Sequence, residues 1–404
     1  MKTTLNDLAI LDGTPAFPER LHVGRPNIGN RETFLRYINN ILDSRLLTNN
    51  GPLVQELEKR IADMVGAKHC IAMCNGTTAL ETVGRALELK DEVLVPSFTF
   101  IATAHSLQWQ GITPVFCDID PATHNIDTKK IEALITPRTT GILGVHVWGR
   151  PCDIEALVEI AKKHRLKLFF DAAHAFSCSY KGRMIGNFGD AEVFSFHATK
   201  IFNTFEGGAV VTNNDDLAKK IRLMKNFGFM GYDNVGYIGI NGKMSEVHAA
   251  MGLSGLEILN DFIAVNKRNY ERYRQELKGI PGISMISYNE REKCNYHYIV
   301  LEIDDAVTHI SRDRLLETLW AENVLARCYF YPGCHKQVPY AFGYSRAGIK
   351  LSETERLGQR ILIFPTGTAI STDDISGICQ IVKFAVEHGP ELSKRLIALG
   401  RNGI

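Results

Sequence analysis

The stretch FSFHATKIFNTFEGGAVVT, from Phe194 to Thr212, contains a single lysine, Lys200, between a short apolar run and Glu206-Gly207-Gly208. A surface lysine needs no such setting. A lysine nucleophile works when desolvation or a neighbouring charge lowers its pKa, or when it is already held as an imine with an aldehyde. Ser195 lies five residues earlier, and Gly207-Gly208 permits close approach of the chain to a ligand or another strand. A second candidate is Asp171, which closes the apolar run KLFF. A carboxylate there is either a helix cap or a functional anion; opposite a pyridine nitrogen it would keep the ring protonated as an electron sink. A third candidate is the turn Asn75-Gly76-Thr77-Thr78, whose backbone N–H groups would suit a phosphate if a helix starts there. Taken singly, a solvated lysine and a plain N-cap are the commoner explanations of the first and third, and Asp171 is evenly balanced.

Alternating elements must position these residues. LVQELEKRIADMVG has apolar residues near every third or fourth position and reads as a helix. HCIAMC (69–74) then reads as a strand, NGTTALETVGRAL as a helix, DEVLVPS as a strand, and TAHSLQWQG as a helix ended by Gly111. TPVFCDID is strand-like, TKKIEALI helical, TTGILGVHVWG a strand, and DIEALVEIAKKHRL a helix with Asp153 as its cap. KLFFDAAHA and AEVFSFHATK follow as strand-to-loop junctions. This alternation predicts an α/β fold with a mostly parallel sheet, helices on both faces, and ligands beyond the carboxyl ends of the strands. From about Met244 the pattern changes to a long, bent or interrupted helical stretch and then shorter elements. The expected organisation is an N-terminal arm (1–30) rather than a core, a large domain (31–255) and a smaller C-terminal α/β domain (256–404).

The chain has 404 residues, 45% of them hydrophobic, and a formal net charge of +1. That balance argues against a nucleic-acid or membrane-surface partner, which calls for a basic bias, but leaves room for anionic small molecules. Nine scattered cysteines form neither a compact disulfide framework nor a CxxC pair, so neither a secreted scaffold nor a structural zinc site is expected. The N-terminus lacks a long apolar signal region, and no stretch approaches the roughly 18 apolar residues of a membrane span. The expected location is the cytoplasm.

Read in order, the Gly-Thr turn, the aspartate and the lysine each lie at a strand end of one sheet. NGTTAL, PSFTFIATAHSLQWQGITPVFCDID, GVHVWGRPCD, FDAAHA, FGDAEVFSFHATK, FEGGAVVT and GKMSEVHAAMGL follow in order. Through them the chain resembles the DegT/DnrJ/EryC1/StrS sugar aminotransferases over nearly its whole length. The resemblance implies a fold-type I enzyme dependent on pyridoxal 5'-phosphate, with no metal. It implies that Lys200 holds the cofactor as an imine, that Asp171 pairs with the pyridine nitrogen, and that His174 lies near the ring hydroxyl. Phe100 would stack on the ring, whereas without the family it would be taken for a core strand residue. Gly76, Thr77 and Ser195 would hold the phosphate. Asn241 would reach the phosphate of a second subunit, giving a homodimer with shared sites, although this chain reads NGKMSE where the family often has NYRMSE. A related branch with histidine in place of the lysine dehydrates sugars; Lys200 aligns the chain with the aminotransferases. NFGF, YFYPGCH and VGRPN are similar to members that use L-glutamate to aminate C4 of dTDP-4-keto-6-deoxy-D-glucose in deoxysugar biosynthesis. Other readings are amination of a 3-keto or GDP-linked sugar, or a regulatory protein that keeps the fold without turnover. Arg25, Arg327 and His335 are candidates for the nucleotide diphosphate, which spacing does not assign.

Overall fold

Helices begin and end where the chain supplies caps. In the computed structural model, which describes residues 2–341 and 350–400, α1 (Arg31–Ser44) starts at Asn30, whose side chain accepts from the Thr33 amide at 3.0 Å. Helix α2 (Pro52–Val65) has proline in its first turn and stops at Gly66, which takes the left-handed conformation (φ +70°). Then follow β1 (His69–Met73), α3 (Gly76–Ala86), β2 (Glu92–Pro96), α4 (Ile101–Gln108), β3 (Thr113–Cys117), β4 (Thr139–Val145) and α5 (Ile154–His164). The large sheet is completed by β5 (Lys167–Asp171), β6 (Ala191–Ser195) and β7 (Gly208–Thr212), followed by α6 (Asp215–Met224) and α7 (Glu246–Leu256). Asp153 caps α5 as expected, accepting from the Ala156 amide.

The seven strands lie in the order β1-β7-β6-β5-β4-β2-β3. All are parallel except β7, which runs antiparallel to both β1 and β6. Successive strand residues point to opposite faces. Cys70 and Ala72 pack on one side with α2, α5 and α7. Ile71 and Met73 pack on the other with α3, α4 and α6. Both faces are therefore covered, and the strands are near-continuous apolar runs.

The long helical stretch after Met244 is interrupted at Ile258, and α8 (Leu259–Glu276) follows. A second core surrounds an antiparallel sheet of β8 (Ile283–Met285), β9 (Ile299–Ile303) and β10 (Ile361–Phe364). Helices α9 (Arg312–Ala321) and α10 (Thr372–Glu387) contribute to it. The N-terminal stretch is more than an arm: Leu5, Leu8, Ile10 and Phe17 are buried in this second core. Glu322, fully buried, fastens that stretch by accepting from the amides of Ala9 (2.8 Å) and Ala16 (2.7 Å) and pairing with Lys2 at 2.9 Å. Short apolar segments such as LAIL show no helical periodicity over a useful length, which is why they read as an arm. Among the described residues no helix is long and apolar enough to cross a membrane.

Candidate active site

The carboxyl ends of β1, β2, β4, β5 and β6 open onto one cavity of about 300 Å³. Gly76, Thr77, Phe100, Asp171, His174, Ser195 and Lys200 all line it. The fold thus brings together seven of the eight residues singled out from the sequence. The eighth, Asn241, is exposed on the loop before α7, bridges to Asn226, and does not line this cavity.

At one end is the first turn of α3. Asn75 caps it by accepting from the Thr78 amide at 2.8 Å, and the amides of Gly76 and Thr77 begin the helix without an acceptor inside it. Gly208 makes this packing possible. A β-carbon there would lie 2.8 Å from the Gly76 nitrogen and 2.8 Å from the Phe194 carbonyl oxygen, both rigid backbone atoms. The close approach permitted by Gly207-Gly208 is thus, at Gly208, to the strand end and helix start. Ser195 ends β6 beside the same turn; its hydroxyl accepts weakly from the His197 amide at 3.4 Å and keeps its own proton to donate.

Asp171 is buried, and each carboxylate oxygen accepts one hydrogen bond: Oδ2 from the Thr103 hydroxyl (2.8 Å), Oδ1 from the Ala173 amide (3.0 Å). Burial raises its pKa, opposed by those two donors and by the positive fields of Lys200 and His146. A carboxylate in this position calls for a cationic partner. Lys200, half-buried, contributes its amine to the cavity, where its Nζ donates to the Tyr298 hydroxyl at 3.3 Å. Desolvation lowers its pKa to about 8 against the opposing pull of Asp171. An amine so adjusted is neutral for an appreciable fraction of time near neutral pH, as a nucleophile or base requires.

His174 shows how a protonation state is fixed. Its Nδ1 accepts from the Trp148 amide at 3.2 Å, so the ring proton sits on Nε2. Burial, then Lys200 and His297, push its pKa well down, and the ring is a neutral Nε2–H donor. Trp148 is held for this task in the left-handed region (φ +63°), uncommon for a bulky residue. Its ring stacks on Phe330 (5.2 Å) and His174 (6.0 Å). The stretch TTGILGVHVWG was expected to be one strand, but β4 ends at Val145 and this turn follows. Phe100 caps α4 at the cavity wall and is 58% exposed, an aromatic face with no core to cover it, rather than a core strand residue.

Sequence reasoning missed Thr103, Trp148, Tyr298, Tyr329 and Phe330. Thr103 sits inside a helix and Trp148 in a turn read as strand; Tyr298, Tyr329 and Phe330 come from distant segments and pack around Trp148 in a cluster separate from the second core. Trp148 lies in GVHVWGRPCD and Tyr329-Phe330 open YFYPGCH, but neither stretch by itself says which side chain enters the site. Of the diphosphate candidates, none lines the cavity. Arg25 is exposed beside Gly24, which packs close to Thr199. Arg327 lies over the ring of Tyr329 at 5.6 Å. His335 is already engaged by Ser97 (2.6 Å) and faces Glu355 at 3.4 Å.

The donor set suits pyridoxal phosphate. A buried carboxylate with no ion-pair partner among the described residues would meet the ring nitrogen, a neutral imidazole N–H the ring hydroxyl, and a helix start with a serine hydroxyl the phosphate. An amine of lowered pKa would meet the aldehyde.

Comparison with known proteins gives the same result. The family model described as the DegT/DnrJ/EryC1/StrS aminotransferase family matches residues 29–383. A dTDP-4-amino-4,6-dideoxy-D-glucose transaminase of Shigella dysenteriae is 40% identical over 365 residues, 90% of this chain and 98% of that protein. A UDP-2-acetamido-2-deoxy-3-oxo-D-glucuronate aminotransferase of Pseudomonas aeruginosa is also 40% identical, over 81% of this chain and 89% of that protein. Among solved structures, DesI, crystallised in the presence of its TDP-sugar product, superposes with a TM-score of 0.93 at 46% identity, covering 97% of this chain and 99% of its own.

Proposed function

The chain belongs to the DegT/DnrJ/EryC1/StrS aminotransferase family and is a pyridoxal-phosphate-dependent sugar aminotransferase; we propose that it transfers the amino group of L-glutamate to C4 of dTDP-4-keto-6-deoxy-D-glucose. The observation that carries the substrate assignment is the likeness to DesI, a TDP-sugar protein, at 46% identity across 97% of the chain.

When bound, pyridoxal phosphate supplies an aldehyde and a ring that accepts negative charge from a substrate carbon. The chain's own residues do the rest. Asp171 would hold positive charge at the ring nitrogen; the amides of Gly76 and Thr77 and the Ser195 hydroxyl would bind the phosphate; His174 Nε2–H would donate to the ring oxygen, and Phe100 would cover the ring. Lys200 Nζ takes a proton from Cα of L-glutamate in the first half-reaction. In the second it delivers a proton to C4 of the sugar, always from the same side.

Incubation with glutamate and a panel of nucleotide keto sugars, followed by product NMR, tests this. An equatorial amine at C4 leaves H4 axial, with large couplings to H3 and H5. Small couplings would indicate the galacto epimer, and nitrogen at C3 would overturn the C4 assignment. That second outcome has its own support in the 40% identity to the relative named for a 3-oxo sugar. A protein that lacked a visible band responsive to glutamate would be a regulator rather than an enzyme.

We propose further that two copies form a homodimer in which Asn241 of each reaches the phosphate of the other. Leu42, Leu46, Leu47, Met230 and Val247 are exposed apolar residues that would be covered in such a dimer. The proposed division into a large domain (31–255) and a small one (256–404) is supported by the change of core along α8, between Phe262 and Tyr270. Residues 1, 342–349 and 401–404 lie outside the described ones. A cytoplasmic location is proposed because all nine cysteines are free thiols, the state a reducing compartment maintains.

A further inference from the structure

Two consecutive residues of the small domain reach the lysine turn of the large one. His297 Nε2 donates to the Thr199 carbonyl at 2.9 Å, and the Tyr298 hydroxyl accepts from Lys200 Nζ at 3.3 Å. Both immediately precede β9. The Tyr298 main chain is held in turn, since the Tyr288 hydroxyl lies 2.9 Å from its carbonyl. Its ring is wedged 4.4 Å from that of His174 and 5.3 Å from that of Trp148. The hydroxyl therefore occupies a fixed point, whereas the lysine it meets is a flexible four-carbon stem.

We propose that Tyr298 is a positioning residue for Lys200, holding the free amine in place between proton removal from the amino donor and proton delivery to the sugar. The assignment rests on the reading of Lys200 as the catalytic lysine. The groups facing Lys200 define why a phenol suits the place. From the large domain these are Asp171 and His174, with the exposed pair His197 and Glu206, 3.6 Å apart, on the same cavity wall; from the small domain, His297, Tyr298 and Tyr329. The two histidines packed at the amine, His174 and His297, are kept neutral by burial, His297 at about 3, leaving Asp171 as the one buried anion of the set. A second carboxylate would pin Lys200 in its charged form. The Tyr298 hydroxyl accepts a hydrogen bond while adding no full charge, since burial raises its own pKa further. It orients the ammonium and still allows the proton to leave.

The test is competitive acetylation of the full-length protein across pH, with the Lys200 peptide read by mass spectrometry. It is run with pyridoxamine phosphate bound, so that the amine is free, and again without cofactor. Tyr298→Phe keeps the ring packing and removes only the acceptor. A buried ammonium that loses a hydrogen-bond partner is harder to form, so the Lys200 labelling midpoint moves lower by about one pH unit in both preparations. In turnover, kcat falls while KM for the sugar holds. An unmoved midpoint in either preparation overturns the proposal; a lowered melting temperature with an unmoved midpoint does so as well, because it marks Tyr298 as packing only. If Lys200→Ala still transaminates, the reading of Lys200 fails instead, whatever the midpoint does.

Discussion

At the scale of single residues, Lys200 and Asp171 were legible because each follows an apolar run that had to be a strand, and strand ends in such sheets face ligands. What supports them was not. Thr103 donates to Asp171 from inside α4, and Trp148 fixes the His174 proton from a left-handed turn. Neither contact follows from spacing, because each depends on how distant segments meet. Replacing Lys200 with alanine abolishes transamination but leaves binding of pyridoxamine phosphate, measurable by absorbance after gel filtration; a fully active variant would remove the lysine from the mechanism. Asp171→Asn lowers the rate roughly 10²–10⁴-fold, the range for a positioned acid–base group, and a near-normal rate would reduce Asp171 to a cap of the Ala173 turn. Thr103→Val removes a donor that lowers the Asp171 pKa. The carboxylate then takes up its proton at higher pH, and the acid limb of kcat/KM moves upward; an unshifted limb would show that the hydroxyl does not tune Asp171.

At the scale of elements, the β-α alternation was readable since strands buried on both faces are short, uninterrupted apolar runs. The errors lie where regular structure stops. β4 ends two residues short of the turn that carries Trp148, and residues 5–17 join the second core through scattered apolar contacts and the Glu322 carboxylate instead of a periodic pattern. The Gly-Gly pair was recognised as a place of close approach, but its partner was not: β7 passes against the start of α3. Gly208→Ala forces backbone apart at two points. It costs about 1–3 kcal/mol in stability, as for overpacking of a tight site, and weakens cofactor binding by displacing the amides of Gly76 and Thr77. Thermal melting and cofactor titration check the two effects. Unchanged cofactor affinity in a destabilised variant would mean that the helix start does not hold the phosphate.

At the scale of the whole molecule, the near-zero net charge and ordinary hydrophobic share said which partners to discount, but not how copies associate. The apolar residues left exposed on α1, the loop after it and the start of α7 become visible only in the folded chain. Mixing Lys200→Ala subunits with Asn241→Ala subunits tests the shared-site dimer. Once subunit exchange is demonstrated and Asn241→Ala alone is shown to be impaired, the hybrid contains one intact site, and activity rises above that of either variant alone. Activity that never exceeds the separate variants speaks against sharing. The antiparallel position of β7 also has a consequence for biosynthesis. In the sheet, β1 has β7 as its neighbour, with Ile71 opposite Val210, so the edge of the sheet cannot close until the 139 residues from Cys74 to Thr212 have been made. At bacterial-to-eukaryotic translation speeds of about 5–20 residues per second, the Cys70–Met73 run waits on the order of ten seconds or more on the ribosome with its pairing edge open. Nascent chains stalled before Gly208 should therefore be held by chaperones or aggregate, and those released after Thr212 has cleared the exit tunnel should be protected from both.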